Sequence, residues 1–290
     1  MSFDIITDSA SNLPKTFAEK NNISIISLKY MLGDEEFDSY VEKENDDSLK
    51  NFYARMREKV STSTSNINAA TFEEQFTQVL DAGRDILYIS FSSGLSSSYS
   101  FAKSTGDALK EKYPERKIYI VDSLSVTYGL GLFVATAVQM RKDGKNIDEI
   151  HDWLEENKLN VMHFFTVDDL VYLKRGGRIS PATAMFGTLL GVKPVLHVTN
   201  DGKLEKITKV QGRKQSLSVL TDKVAETIKD PKTQPVAIVH GDCAEDAEFV
   251  KKLIKERVGT KDFIIDYLTP IIGAHSGPGT IAIFFFGKGR

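Results

Sequence analysis

The 290-residue chain has little of several things that would narrow its role quickly. It holds one cysteine, Cys243, so no internal disulfide forms, and a reducing, cytoplasmic setting is expected. Positive charge is not in excess: 37 Lys and Arg against 40 Asp and Glu leave a net charge of -3 and an isoelectric point near 6.0. That balance provides no basic footprint for nucleic acid. The N-terminus lacks a basic region followed by a long apolar stretch, so no signal peptide is expected. The most apolar run, Ile281 to Phe286, is too short to span a bilayer and reads as a buried strand. His151, His163, His197, His240 and His275 never stand three or four residues apart, which argues against a metal site.

Motifs for nucleotide cofactors are missing too. The Gly-rich stretch Gly273 to Thr280 has no Lys, so it cannot be a Walker A loop. Asp8-Ser9-Ala10-Ser11 stands where a Rossmann fingerprint would place its glycines. No cofactor is expected. A nucleophile elbow, G-x-S-x-G, is likewise absent.

With 41% hydrophobic and 27% charged residues, the chain is that of a globular protein able to bury a core, and its length favours two domains. The first half alternates strand and helix signals. Strands are predicted over Phe3 to Thr7, Ile23 to Met31, Asp85 to Phe91 and Lys117 to Val121. Helices are predicted after Pro14 and over Asp46 to Lys59, and from a capping box at Thr71 to Glu74 towards Gly83. Further helices reach Lys112 and cover Tyr128 to Lys142 and Ile147 to Asn157. This rhythm predicts a mostly parallel sheet flanked by helices. The second half begins with a strand over Val161 to Val167 and a short helix stopped by Gly176-Gly177. Asn200-Asp201-Gly202 then marks an antiparallel hairpin. Helices at Gln215 to Lys229 and Ala244 to Arg257 alternate with strands at Pro235 to His240, Asp262 to Leu268 and the Phe-rich end. The expected fold is therefore α/β in two domains, residues 1–159 with the parallel sheet and 160–290 with a mixed one, with a ligand in the crevice between them.

Two hydroxyl-rich runs, Ser61 to Asn66 and Ser90 to Ser100, read as loops at element ends, where a parallel α/β sheet holds its ligands. Neither run contains Lys or Arg, so they suit one polar head group held by neutral donors better than a polyphosphate. Most serines in such runs serve as caps and turns. His275, among glycines, lies where backbone can approach a ligand closely. Lys174 to Arg178 reads either as a helix C-terminus with favourable cations or as a basic patch facing a partner.

These segments together resemble the DegV family, whose members are similar to the fatty-acid-binding subunits of bacterial fatty acid kinase. The resemblance spans essentially the whole chain. It is carried by Thr7 to Pro14, Thr62-Ser63, Ser92 to Ser96, Val121 to Ser123, Tyr172 to Ser180, Lys193-Pro194 and Gly273 to Gly279. One departure stands out: the family continues Thr-Ser with Gln-Pro-Ser, whereas Thr64-Ser65-Asn66 follow here. The resemblance implies a lipid-binding protein, not an enzyme with a complete active site, that buries one long-chain fatty acid. Thr62, Ser93 and His275 would hold the carboxylate, with Ser63, Gly94 and Ser276 supporting the head-group loops. It also implies a partnership with a separate ATP-dependent kinase subunit that forms the acyl phosphate, with a role in phospholipid metabolism. Arg178, Lys209 and Arg213 would dock that subunit or an acyltransferase using acyl phosphate.

A carboxylate held by neutral hydroxyls takes most of its affinity from the tail, at about 0.8 kcal/mol per buried methylene, so a long apolar tunnel is required. Phe164, Phe165, Phe186, Leu189, Leu190 and Ile272 are its expected lining. The alternative is a serine-dependent acyl esterase using Ser93 and His275 with a carboxylate such as Asp122. A ligand sensor whose domains close and signal to another protein is a third reading.

Overall fold

The structure, a computed structural model, describes residues 2–42, 46–180 and 191–290. In chain order the first elements are β1 (Phe3–Asp8), α1 (Lys15–Lys20), β2 (Ile23–Ile26), β3 (Lys29–Leu32), β4 (Glu35–Asp38), α2 (Ser39–Glu42), α3 (Asp46–Arg57) and β5 (Thr62–Ser65). They are followed by α4 (Ala69–Asp81), β6 (Asp85–Ser90), α5 (Ser98–Lys112), β7 (Ile118–Asp122), α6 (Tyr128–Lys142) and α7 (Ile147–Asn157). Next come β8 (Val161–Thr166), α8 (Val171–Arg175), β9 (Val192–Val198), β10 (Leu204–Gln211) and α9 (Arg213–Thr227). The chain ends with β11 (Val236–His240), α10 (Ala244–Val258), β12 (Phe263–Tyr267), α11 (Pro270–Ser276) and β13 (Ile281–Phe286).

Three sheets result. The first, in the order β2-β1-β6-β7, is parallel throughout. All six residues of β6 are buried, as a strand covered on both faces requires. The second, β10-β9-β8-β13-β11-β12, is mixed: β11 and β12 run parallel, and its other pairs are antiparallel. Strand β10 alternates half-buried and exposed residues and carries a register shift between Lys206 and Thr208, features suited to a solvated edge. The third sheet, β4-β3-β5, is small and antiparallel. Strands of the parallel sheet all precede residue 123, and those of the mixed sheet all follow residue 160. On that segregation we propose 1–159 and 160–290 as the two domains. Among the described residues, no helix is long and apolar enough to cross a membrane.

Four local readings are corrected. The predicted strand Ile23 to Met31 breaks into β2 and β3, which belong to different sheets. At the break Leu28 donates its N–H to the Ser9 hydroxyl, so that backbone group does not continue the ladder. Helix α4 opens two residues before Thr71, because Asn68 supplies the cap and accepts from the Thr71 N–H. The first hydroxyl run is not a loop: Thr62 to Ser65 form β5, with Thr62 and Thr64 half-buried on one face and Ser63 and Ser65 exposed on the other. The Gly-rich stretch is not a loop at His275, which lies in the last turn of α11.

Candidate ligand cavity

Between the C-terminal edge of the parallel sheet and a face of the mixed sheet lies a cavity walled by residues of both halves of the chain. Its walls are mostly apolar: Leu28, Phe91, Leu95 and Val126 from the first half, and Phe165, Ile271, Ile272 and Phe284 from the second. Polar groups are few, and several gather together. Thr64, Asn66 and Ser96 face it from the two hydroxyl runs, and Arg178, His275 and Ser276 from the second half.

Hydrogen bonds knit that polar group. Thr64 Oγ1 lies 2.8 Å from His275 Nε2. The Ser96 hydroxyl donates to Asn66 Oδ1 at 2.9 Å and lies 3.1 Å from the Ser98 hydroxyl. Arg178 Nε donates to the Leu95 carbonyl at 3.2 Å. Two groups stay without a partner among the described residues: His275 Nδ1 and Ser276 Oγ, both buried. Such atoms carry a desolvation cost until something bonds to them. Burial, and then the cations of Arg178 and Arg175, push the His275 imidazole down to about 4, so it is neutral at pH 7. Burial also lowers Arg178 from its ordinary value.

The expected site residues divide. His275, Ser276, Phe164, Phe165 and Ile272 line the cavity. Thr62 and Ser93 do not. The Thr62 hydroxyl donates to the Ala274 carbonyl at 3.2 Å and accepts from Arg175 at 3.0 Å. Ser93 is exposed, its N–H bonded to Asp122, and it borders a shallow outer basin together with Gly94. Gly94 also packs against the backbone of Asp201 and Gly202, and Ser63 is exposed. His275 bonds Thr64 through Nε2 and its Nδ1 has no partner, so no hydrogen-bonded Ser93–His275 pair exists for the esterase reading. Phe186, Leu189 and Leu190 lie outside the described residues.

The basic residues divide as well. Arg178, expected on a docking surface, is half-buried in the cavity wall, and it supplies the cation that the hydroxyl runs lack. Arg213 is turned inward: it donates to Asp246 Oδ2 at 2.8 Å and to the Gly279 carbonyl at 2.6 Å, which leaves a fifth of its side chain exposed. Lys209 is exposed on β10.

Thr64, Asn66 and Ser96 line the cavity and were not among the expected site residues. A strand reading of the first run would have placed Thr64 beside Thr62 on one face and offered both. Most other serines are structural: Ser92 donates to the Gly202 carbonyl, Ser123 donates to the Ser90 carbonyl, and Ser98 accepts from Ile67 N–H. Burial pushes the Cys243 thiol up to about 12, so it carries no thiolate at neutral pH.

A family model described as an uncharacterised protein of the DegV family matches residues 2–288. The chain belongs to the DegV family. A DegV domain-containing protein from Clostridium perfringens is 43% identical over 98% of this chain and 97% of its own. A second, from Lactococcus lactis, is 34% identical over 98% of this chain and 97% of its own. Among solved structures, a DegV lipid-binding protein from Thermotoga maritima is 25% identical and superposes with a TM-score of 0.83, both chains being covered in full. Another Thermotoga maritima protein, described as revealing a fatty acid binding function, is 26% identical with a TM-score of 0.80 over 98% of each chain. A stearic acid-binding protein from Eubacterium ventriosum, 22% identical over 99% of this chain and 98% of its own, shares the fold at a TM-score of 0.86.

Proposed function

We propose that this DegV protein buries one long-chain fatty acid in the cavity, its carboxylate at Thr64, Ser276 and Arg178, beside His275, and its tail among the apolar walls. The observation that carries this reading is an apolar cavity lined by Ser276, whose hydroxyl is buried without a partner. A carboxylate oxygen would accept from the Ser276 hydroxyl and, with His275 Nε2–H donating to Thr64 Oγ1, from the Thr64 hydroxyl, and Arg178 would offset its charge. Two relatives of the same fold, at 25% and 26% identity, are described as binding lipid or fatty acid. Tail burial at about 0.8 kcal/mol per methylene would supply most of the affinity.

The polar end adjoins the outer basin, because Leu95, Ser96 and Arg178 border both. The head group therefore lies at the accessible end, which suits presentation to a separate ATP-dependent kinase subunit that converts it to an acyl phosphate. Exposed Lys209 and the basin rim are the places for that partner, or for an acyltransferase, to dock. Reconstitution with a competent cognate kinase, ATP and fatty acid tests this role. A lack of acyl phosphate there would count against it.

The head-group assignment has its own test: organic extraction of purified protein followed by mass spectrometry, with affinity measured on delipidated samples. Thr64→Ala and Ser276→Ala are each expected to weaken retention about 10- to 100-fold, the loss of one hydrogen bond to a charged group. Thr62→Ala and Ser93→Ala should stay within about threefold of the parent. Equal losses in Thr62→Ala and Thr64→Ala would return the carboxylate to the outer hydroxyls. Protein that repeatedly carries no acyl chain would sink the reading itself.

A further inference from the structure

His163 stands on β8 in the cavity wall, opposite Phe284 of β13, with its ring edge-on to that phenyl and the centroids 5.3 Å apart. It is buried, and both ring nitrogens are engaged. Nδ1 lies 3.0 Å from the Val161 carbonyl, which can only accept, so Nδ1 carries the proton. Nε2 then accepts from the Val126 N–H at 3.4 Å. Behind the ring, Gly129 of α6 approaches so closely that a Cβ there would lie 2.0 Å from Nε2. The imidazole can neither swing away nor retreat. Burial, with the Arg290 cation, keeps it neutral.

The strand sets its distance from the head group. Thr280, just before β13, follows His275 and Ser276 closely in the chain and lines the same cavity. Phe284 and its partner His163 lie four residues further, about 14 Å along an extended strand. An extended alkyl chain of tetrahedral carbons advances about 1.25 Å per carbon, so it would meet the ring near its eleventh carbon. Resting on the fatty-acid reading, we propose that His163 is a specificity-determining residue. It forms a fixed wall in the tunnel that admits acyl chains which are short or bent at mid-length and disfavours long straight ones.

The experiment offers delipidated protein an equimolar mixture of octadecanoic and cis-9-octadecenoic acids, then washes, extracts and weighs the bound chains. His163→Ala removes the ring, and His163→Val does so while keeping a side chain suited to a strand. In either folded variant the ratio of saturated to cis-unsaturated chains is expected to rise about fivefold or more over the parent. An unchanged ratio at full occupancy overturns the role of His163 and leaves fatty acid binding standing. Empty parent protein would instead bring down the fatty-acid reading and this inference with it.

Discussion

Arg290→Ala is expected to cost about 2 to 4 kcal/mol of folding stability, more than any single surface salt bridge here would. The guanidinium is mostly buried and meets no carboxylate within hydrogen-bond distance among the described residues. It donates instead to the carbonyls of Val161 at 2.9 Å, Leu124 at 2.7 Å and Thr199 at 3.1 Å, and to the Ser125 hydroxyl at 2.9 Å. Leu124 and Ser125 belong to the first half of the chain, Val161 and Thr199 to the second. One side chain therefore ties the turn after β7 to the start of β8 and the end of β9. Burial pushes the guanidinium down to about 10, and that desolvation cost offsets part of what the four bonds contribute. Truncation leaves the carbonyls short of donors, so the net effect remains a loss. Arg290→Lys should recover part of it, since an ammonium has three donors but lacks the planar fork. Urea unfolding of the three proteins at pH 7.5 measures the ranking. Alanine and parent with the same midpoint would show that the bonds do no more than replace those to water.

Much of the fold could be read from the chain because local signals agreed with tertiary demand. Asn146 and Glu149 form a reciprocal capping box, and α7 starts where they place it. Asn200-Asp201-Gly202 joins β9 and β10 in antiparallel register. The site was less legible, for reasons visible in single residues. Thr62 and Thr64 lie two apart on a strand, so they share a face, and only packing against α11 decides which one meets the cavity. Ser93 and Ser96 differ by burial, which a serine-rich run does not announce. Gly273 looked like loop material. In the structure it makes room inside a helix, because a Cβ there would come within 2.5 Å of the Tyr53 hydroxyl. That hydroxyl donates to the Leu268 carbonyl, a contact no local pattern encodes. Arg178 reaches the second hydroxyl run from a region far along the chain, so the runs' lack of cations did not describe the cavity wall.

Acid should affect two buried groups in opposite senses. His275, held at about 4 against an ordinary 6.5, binds its proton more readily in the unfolded chain. Its contribution is complete above pH 6.5 and is lost as pH falls towards 4, about 3 kcal/mol in all. Asp8 behaves in reverse. Desolvation raises it to about 6, against the backbone N–H groups of Phe91 and Ala10 and the Tyr88 hydroxyl that favour the carboxylate. Its folded form takes up the proton first, so it adds stability as pH falls below 6, again about 3 kcal/mol when complete near 3.8. In the empty parent the two largely cancel between pH 7.5 and 4.5. Each substitution should unmask the other: on acidification, His275→Gln gains about 2 kcal/mol relative to the parent and Asp8→Asn loses about 2. Unfolding by urea at both pH values, taken as differences, removes the fixed cost of each change. Shifts of the same sign in both variants would refute the assignment. Fatty acid sharpens the contrast, because a carboxylate beside His275 favours its protonated form and raises its pKa. The bound carboxylate titrates in the same range, so the part due to His275 is the difference between parent and His275→Gln, and in that difference loading should reduce the parent's loss on acidification.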